Sequence, residues 1–164
     1  MKRFFTHLFL GPILLRRYFP PAACARIGAA IAASEDRHSA EIRFCVEGAL
    51  ELHELLRRCH PRDRAVEVFT ELRIWDTAQN NGVLIYLLLA DRDIEIVADR
   101  GLDTLVAPDE WRSVCETIEA GCRTGGHVDA VISGIEQISA KLARHFPPAG
   151  AQRNELPNEP VVRP

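Results

Sequence analysis

The chain has 164 residues, 47% of them hydrophobic and 26% charged, and a formal net charge of −3. That length holds one domain with a proper core and hardly two. Proteins built around nucleic acid usually carry a strong basic surplus, so no nucleic acid is expected as a partner.

Residues 1–20 read as a basic and apolar N-terminal arm. Lys2 and Arg3 precede an apolar run from Phe4 to Leu15, interrupted by His7, Gly11 and Pro12. The run is shorter than the ~20 apolar residues that a bilayer span takes. Arg16 and Arg17 follow at once, then Pro20 and Pro21, which argues against a secretory leader. A cytoplasmic protein is expected, at most peripheral to the inner membrane. Basic residues flanking a Phe/Leu-rich face suit a membrane surface or a membrane-associated partner, and the alternative is an arm that packs on the domain.

From Ala22 to Asp36, Cys24, Ile27, Gly28 and Ile31 fall at helical spacing and make one narrow apolar stripe. Glu41–Glu47 then alternates, with Ile42, Phe44 and Val46 on one side and Glu41, Arg43, Cys45 and Glu47 on the other, the pattern of a half-buried strand. A helix carrying Leu52, Leu55, Leu56 and Cys59 ends before Pro61, and another runs from Arg62 to Trp75 on Ala65, Phe69 and Leu72. Turn formers fill Asp76 to Gly82.

Val83–Ala90 is apolar without alternation, as a central strand covered on both faces would be. Asp91 and Arg92 separate it from the alternating run Asp93–Ala98, which predicts an antiparallel hairpin, and Asp99-Arg100-Gly101 ends that strand. Pro108 opens a helix whose first turn holds Asp109 and Glu110, and Gly125 and Gly126 stop it. A last helix runs from His127 to His145. The proline-rich residues 147–164 contain few large apolar side chains and are expected to be disordered. Helices and strands in this order predict an α/β fold, a three-layer α/β/α sandwich with a small mixed sheet, over residues 21–146.

None of the five cysteines, Cys24, Cys45, Cys59, Cys115 and Cys122, forms a CxxC pair, so structural thiols in a reducing compartment are expected. His38 and His53 lack a neighbouring carboxylate motif and read as surface or packed histidines. Trp75, next to the loop, reads as a helix anchor or a pocket wall.

The stretch NNGVLIYLLLADRDIEIVADRGL, with Trp111 on the next helix and a closing helix that ends in HFP, resembles the TPM domain across Ala22–Pro147. The resemblance implies an α/β/α sandwich. Members of that family are described as acid phosphatases or as calcium-binding or membrane-associated accessory proteins. Asn81 and Gly82 in WDTAQNNG match its first loop, and Gly101 and Asp103 in DRGLD match its second; Asp109 falls near an acidic position at the start of the following helix.

Asp76, Asp99, Asp103 and Asp109, with Asn80 and Asn81 as neutral oxygen donors, form the best candidate site for a hard cation such as calcium or magnesium. Such a metal could hold a small phosphorylated ligand and polarise its oxygens, with Arg100 as the candidate catalytic cation. The competing reading is that these aspartates cap helices and turns. Two functions are therefore expected: a non-enzymatic accessory module that binds a divalent metal and a membrane surface, or a metal-dependent acid phosphatase of small phosphomonoesters.

Overall fold

The computed structural model describes residues 2–148 and 154–164, without the side chains of residues 2–5, 8 and 9. Four strands form one mixed sheet in the order β3-β2-β1-β4. β1 (Glu41–Glu47) and β2 (Gly82–Leu88) are parallel, in register from Glu41 opposite Gly82 to Glu47 opposite Leu88. β3 (Asp93–Ala98) returns antiparallel to β2, giving the expected hairpin.

Helices cover both faces. On one face α1 (Lys2–Tyr18), α2 (Pro21–Glu35), α5 (Pro108–Arg123) and α6 (His127–His145) enclose Ile42, Phe44, Val83, Ile85, Ile94 and Ile96 with Ile27, Ile31, Val114, Ile118, Val131 and Ile135. On the other, α3 (Leu52–Leu56) and α4 (Pro61–Glu71) lie over Leu84, Tyr86 and Leu88 with Ala65, Val68 and Phe69. This is the expected three-layer α/β/α sandwich. Pro21, Pro61 and Pro108 each sit in the first turn of their helices, where the missing N–H costs nothing. Each large aliphatic side chain fully buried here contributes about 1.5–3 kcal/mol.

Three segments differ from the sequence pattern. β1 is buried along all seven residues instead of half-buried. Its polar side turns inward because partners satisfy it: the Arg64 guanidinium forks onto Glu47 at 3.0 and 2.9 Å, and the Tyr86 hydroxyl donates to the same carboxylate. Alternation reports polarity, and polarity equals exposure only where no internal partner exists.

The proline-rich C-terminal segment, expected to be disordered, is instead ordered from Asn154 onward. β4 (Val161–Arg163) pairs parallel with β1, and Leu156 is buried to 9% exposure. Residues 149–153 lie outside the described ones. Backbone hydrogen bonds to a strand edge hold this segment, and hydropathy does not report them.

The N-terminal arm is helical and docked. His7 is buried, its ring nitrogens 2.9 Å from the Leu50 amide and 3.0 Å from Asp91, and Leu15 and Phe19 enter the core.

Candidate functional site

The loop before β2 and the turn after β3 meet at one end of the sheet. Asp99 N donates to Gly82 O (2.9 Å) and Gly101 N donates to Asn80 O (2.9 Å). The Arg100 guanidinium donates twice to Asn80 Oδ1, at 3.1 and 2.8 Å, while Asp99 Oδ1 accepts from Arg100 N at 2.7 Å. Asn81, wholly buried, donates from Nδ2 to Ser39 O (2.9 Å). Asn80, Asn81, Gly82, Asp99, Arg100 and Gly101 therefore converge. Asp99 starts the 3-10 turn Arg100–Leu102 as its cap.

Both glycines are explained by close approach. A Cβ at Gly82 would collide with Ile74 O, and one at Gly101 would collide with the carbonyls of Asn80 and Gln79. They lock two loops together, and neither is required by a left-handed backbone. Asn80 supplies that conformation, at φ 51°.

The other aspartates face elsewhere. Asp76 is exposed and paired with Arg73 at 2.7 Å; Asp109 is exposed and paired with Arg112 at 3.0 Å. Asp103 is exposed at the end of the 3-10 turn. Among the described residues no group of three or more His, Cys, Asp or Glu side chains is placed to hold a metal ion. The donors that the loop pair does offer are Asp99 Oδ2 and Asn81 Oδ1, each buried without a hydrogen-bond partner among the described residues.

This loop pair sits at the amino end of β2, not at the carboxyl ends of the parallel strands where ligands collect in open α/β sheets. It gathers because β3 is antiparallel and brings its carboxyl end beside the start of β2. The carboxyl end of β2 and the start of β3 open on a cavity of about 400 Å³ that the sequence pattern did not reveal. Leu10 and Leu14 of α1 wall it with Leu87, Leu89 and Ile94, and Arg92 and Arg123 line it as cations. Arg123 pairs with Glu119 at 3.1 Å. At one end His127 stacks on Tyr18, centroids 3.8 Å apart, and burial lowers its pKa. The signal, a polar Asp91-Arg92 turn between two strand patterns, was visible, but the docking of α1 over it was not.

Among the described residues no cysteine is activated as a nucleophile. Burial pushes the thiols of Cys45 and Cys115 up to about 12 and that of Cys122 up to about 11, far from thiolate chemistry. His38 is wholly buried, and burial takes its pKa down to about 4, so it is a neutral packed histidine; His53 is exposed beside Glu51. Trp75 is 45% exposed under the Arg73 guanidinium and anchors no core.

These features define a small α/β sandwich with interlocked loops beside its central hairpin. The chain belongs to the TPM domain family, whose domain matches residues 16–141. It is similar to the BA42 protein of the psychrophilic bacterium Bizionia argentinensis, known from an NMR structure. That likeness has 30% identity and a TM-score of 0.76, and covers 86% of this chain and 92% of BA42. The N-terminal domain of a P. gingivalis protein aligns at 15% identity with a TM-score of 0.61, over 79% of each chain, a likeness of fold alone. No curated protein matches the chain.

Proposed function

We propose that this TPM-domain protein is a non-enzymatic accessory module that meets an anionic membrane surface through α1. The observation that carries this reading is the outward side of that helix. Ile13 is 59% and Leu10 42% exposed, next to solvent-facing Arg16 and Arg17. Apolar side chains flanked by arginines are what an interfacial helix offers to lipid headgroups. His7 and Leu15 clamp the helix from behind, so it is held in place before contact. Arg92 adds a cation at the cavity behind it, where Arg123 is paired with Glu119. Among the described residues no helix is long and apolar enough to cross a membrane, so attachment would be peripheral.

Co-sedimentation with vesicles tests this, using phosphatidylcholine with and without phosphatidylglycerol. An arginine near an anionic surface is worth about 1 kcal/mol, so Arg16→Glu with Arg17→Glu should weaken partitioning roughly tenfold or more. Ile13→Glu should weaken it further. Equal binding by wild type and triple variant would refute the reading.

A second reading, a metal-dependent phosphatase acting on small phosphomonoesters, is favoured by one observation. Asp99 Oδ2 is buried without a partner among the described residues, next in sequence to the exposed Arg100. A calcium or magnesium ion would satisfy that oxygen, with Asn81 Oδ1 as a further donor type. Saturable thermal stabilisation by either ion, lost in Asp99→Asn and accompanied by p-nitrophenyl phosphate turnover, would favour this reading over the first.

A further inference from the structure

The C-terminal segment is held by side chains that recognise its backbone. Glu41, 2% exposed, accepts from the amides of Glu155 and Leu156, both at 3.2 Å. Two residues along β1, Arg43, 6% exposed, donates to Glu159 O at 3.2 Å. Gly48 N then donates to Arg163 O at 2.8 Å, after the ladder pairs Cys45–Val161, Val46–Val162 and Glu47–Arg163. Burying a carboxylate and a guanidinium is costly, and here their polar atoms serve the main chain of another segment.

Side-chain contacts add register. Leu156 enters the apolar cluster beneath, Glu155 accepts from Ala78 N at 3.0 Å, and Arg163 pairs with Glu71 at 2.6 Å. The wall opposite is Gly28 of α2, which lies close to Asn158 and Pro160. Backbone bonds for affinity with a few side-chain seats for specificity is how sheet edges bind extended peptides. The segment buries one large apolar side chain, Leu156, to 9% exposure and leaves Val162 45% exposed, so it belongs to the weakly held end of the fold. It also lies outside residues 16–141, the part that matches the family.

We propose that the groove between α2 and β1 is a binding site for an extended peptide strand, that residues 154–164 occupy it in cis, and that its occupant in trans is the same segment of a second copy. The contacts just described are then made reciprocally, as an isologous strand-exchanged dimer requires. The segment that fits the groove is present in every copy, so no other sequence is needed.

The test keeps the full chain. Leu156→Asp with Arg163→Glu weakens the cis contact and leaves the groove intact. A fluorescent peptide of residues 154–164 is then titrated by anisotropy. Saturable binding to this opened chain is expected, with much weaker binding to wild type, whose tethered segment competes at an effective concentration on the order of millimolar. A peptide N-methylated at the Leu156 amide, which cannot donate to Glu41, should lose binding with the protein unchanged. In wild type, sedimentation velocity should show a dimer that grows with concentration, and a mixed-label NMR sample should show intermolecular contacts between Val161 and Cys45. No peptide binding to an opened chain with native circular dichroism, or equal binding of the N-methylated peptide, overturns the site. A chain that stays monomeric at every concentration overturns the second copy as its occupant.

Discussion

Arg64 is the cation on which the second face of the sheet depends. Its side chain is 9% exposed and meets Glu47 (4% exposed) and Glu54 (2% exposed), with Glu67 and Glu71 further out at 3.2 and 3.4 Å. Arg64→Met keeps most of the apolar stem but strips the charge from between two nearly dry carboxylates. Removing one partner of a buried ion pair typically costs about 3–5 kcal/mol, because the remaining charge is left uncompensated. For a chain of this size each kcal/mol lowers Tm by about 2–4 °C, so a fall of roughly 6–20 °C is expected. Thermal unfolding followed by tryptophan fluorescence measures it. The specific signature is rescue by a second substitution. Adding Glu47→Gln to Arg64→Met should recover part of the loss, since one of the orphaned charges is then gone. A deficit below about 1 kcal/mol, or no recovery on adding Glu47→Gln, would refute the assignment of this network as a buried, mutually compensating set.

Gly82→Ala should destabilise the fold by about 1–3 kcal/mol or more, since the new methyl group meets the Ile74 carbonyl and backbone must shift; a neutral result in thermal unfolding would show that the loop yields. Glu35 has its pKa raised to about 7 from the usual 4.5, first by burial and then by the charge of Glu41. The folded state therefore holds a proton that the unfolded chain has released, so this group's contribution is present below about pH 4.5 and is lost as pH rises through about 7. Glu35→Gln should flatten the stability profile in that window, and a profile that keeps the wild-type slope would assign the titration to another group.

Much of the fold was legible because periodicity reports burial. The apolar run Val83–Ala90 could only be a central strand, and the break at Asp91-Arg92 between two strand patterns could only be a tight reversal, which β2 and β3 confirm. The helices after Pro21, Pro61 and Pro108 begin where their prolines permit. The loop residues of the candidate site were legible in part. Asn80, Asn81, Gly82, Asp99, Arg100 and Gly101 do meet, because the hairpin places the start of β2 beside the end of β3. Asp76 and Asp109 do not join them, because arginines three residues away in sequence pair with them locally, an interaction that a count of acidic residues does not weigh.

The chain's own alphabet of apolar spacing, prolines and glycines thus determined the layers, the hairpin and the family. Tertiary structure alone decided three things. The polar side of β1 is interior, because Arg64 and Tyr86 arrive from elsewhere in the chain to satisfy Glu47. The proline-rich C-terminal segment becomes a fourth strand, because Glu41 and Arg43 bind its backbone and backbone carries no sequence signature. The N-terminal helix turns His7 inward and Ile13 outward, because Leu50 and Asp91 offer that histidine its partners at one end of the sheet. In each case the deciding partner is at least 17 residues away, beyond the few positions over which a helical or strand period can be read.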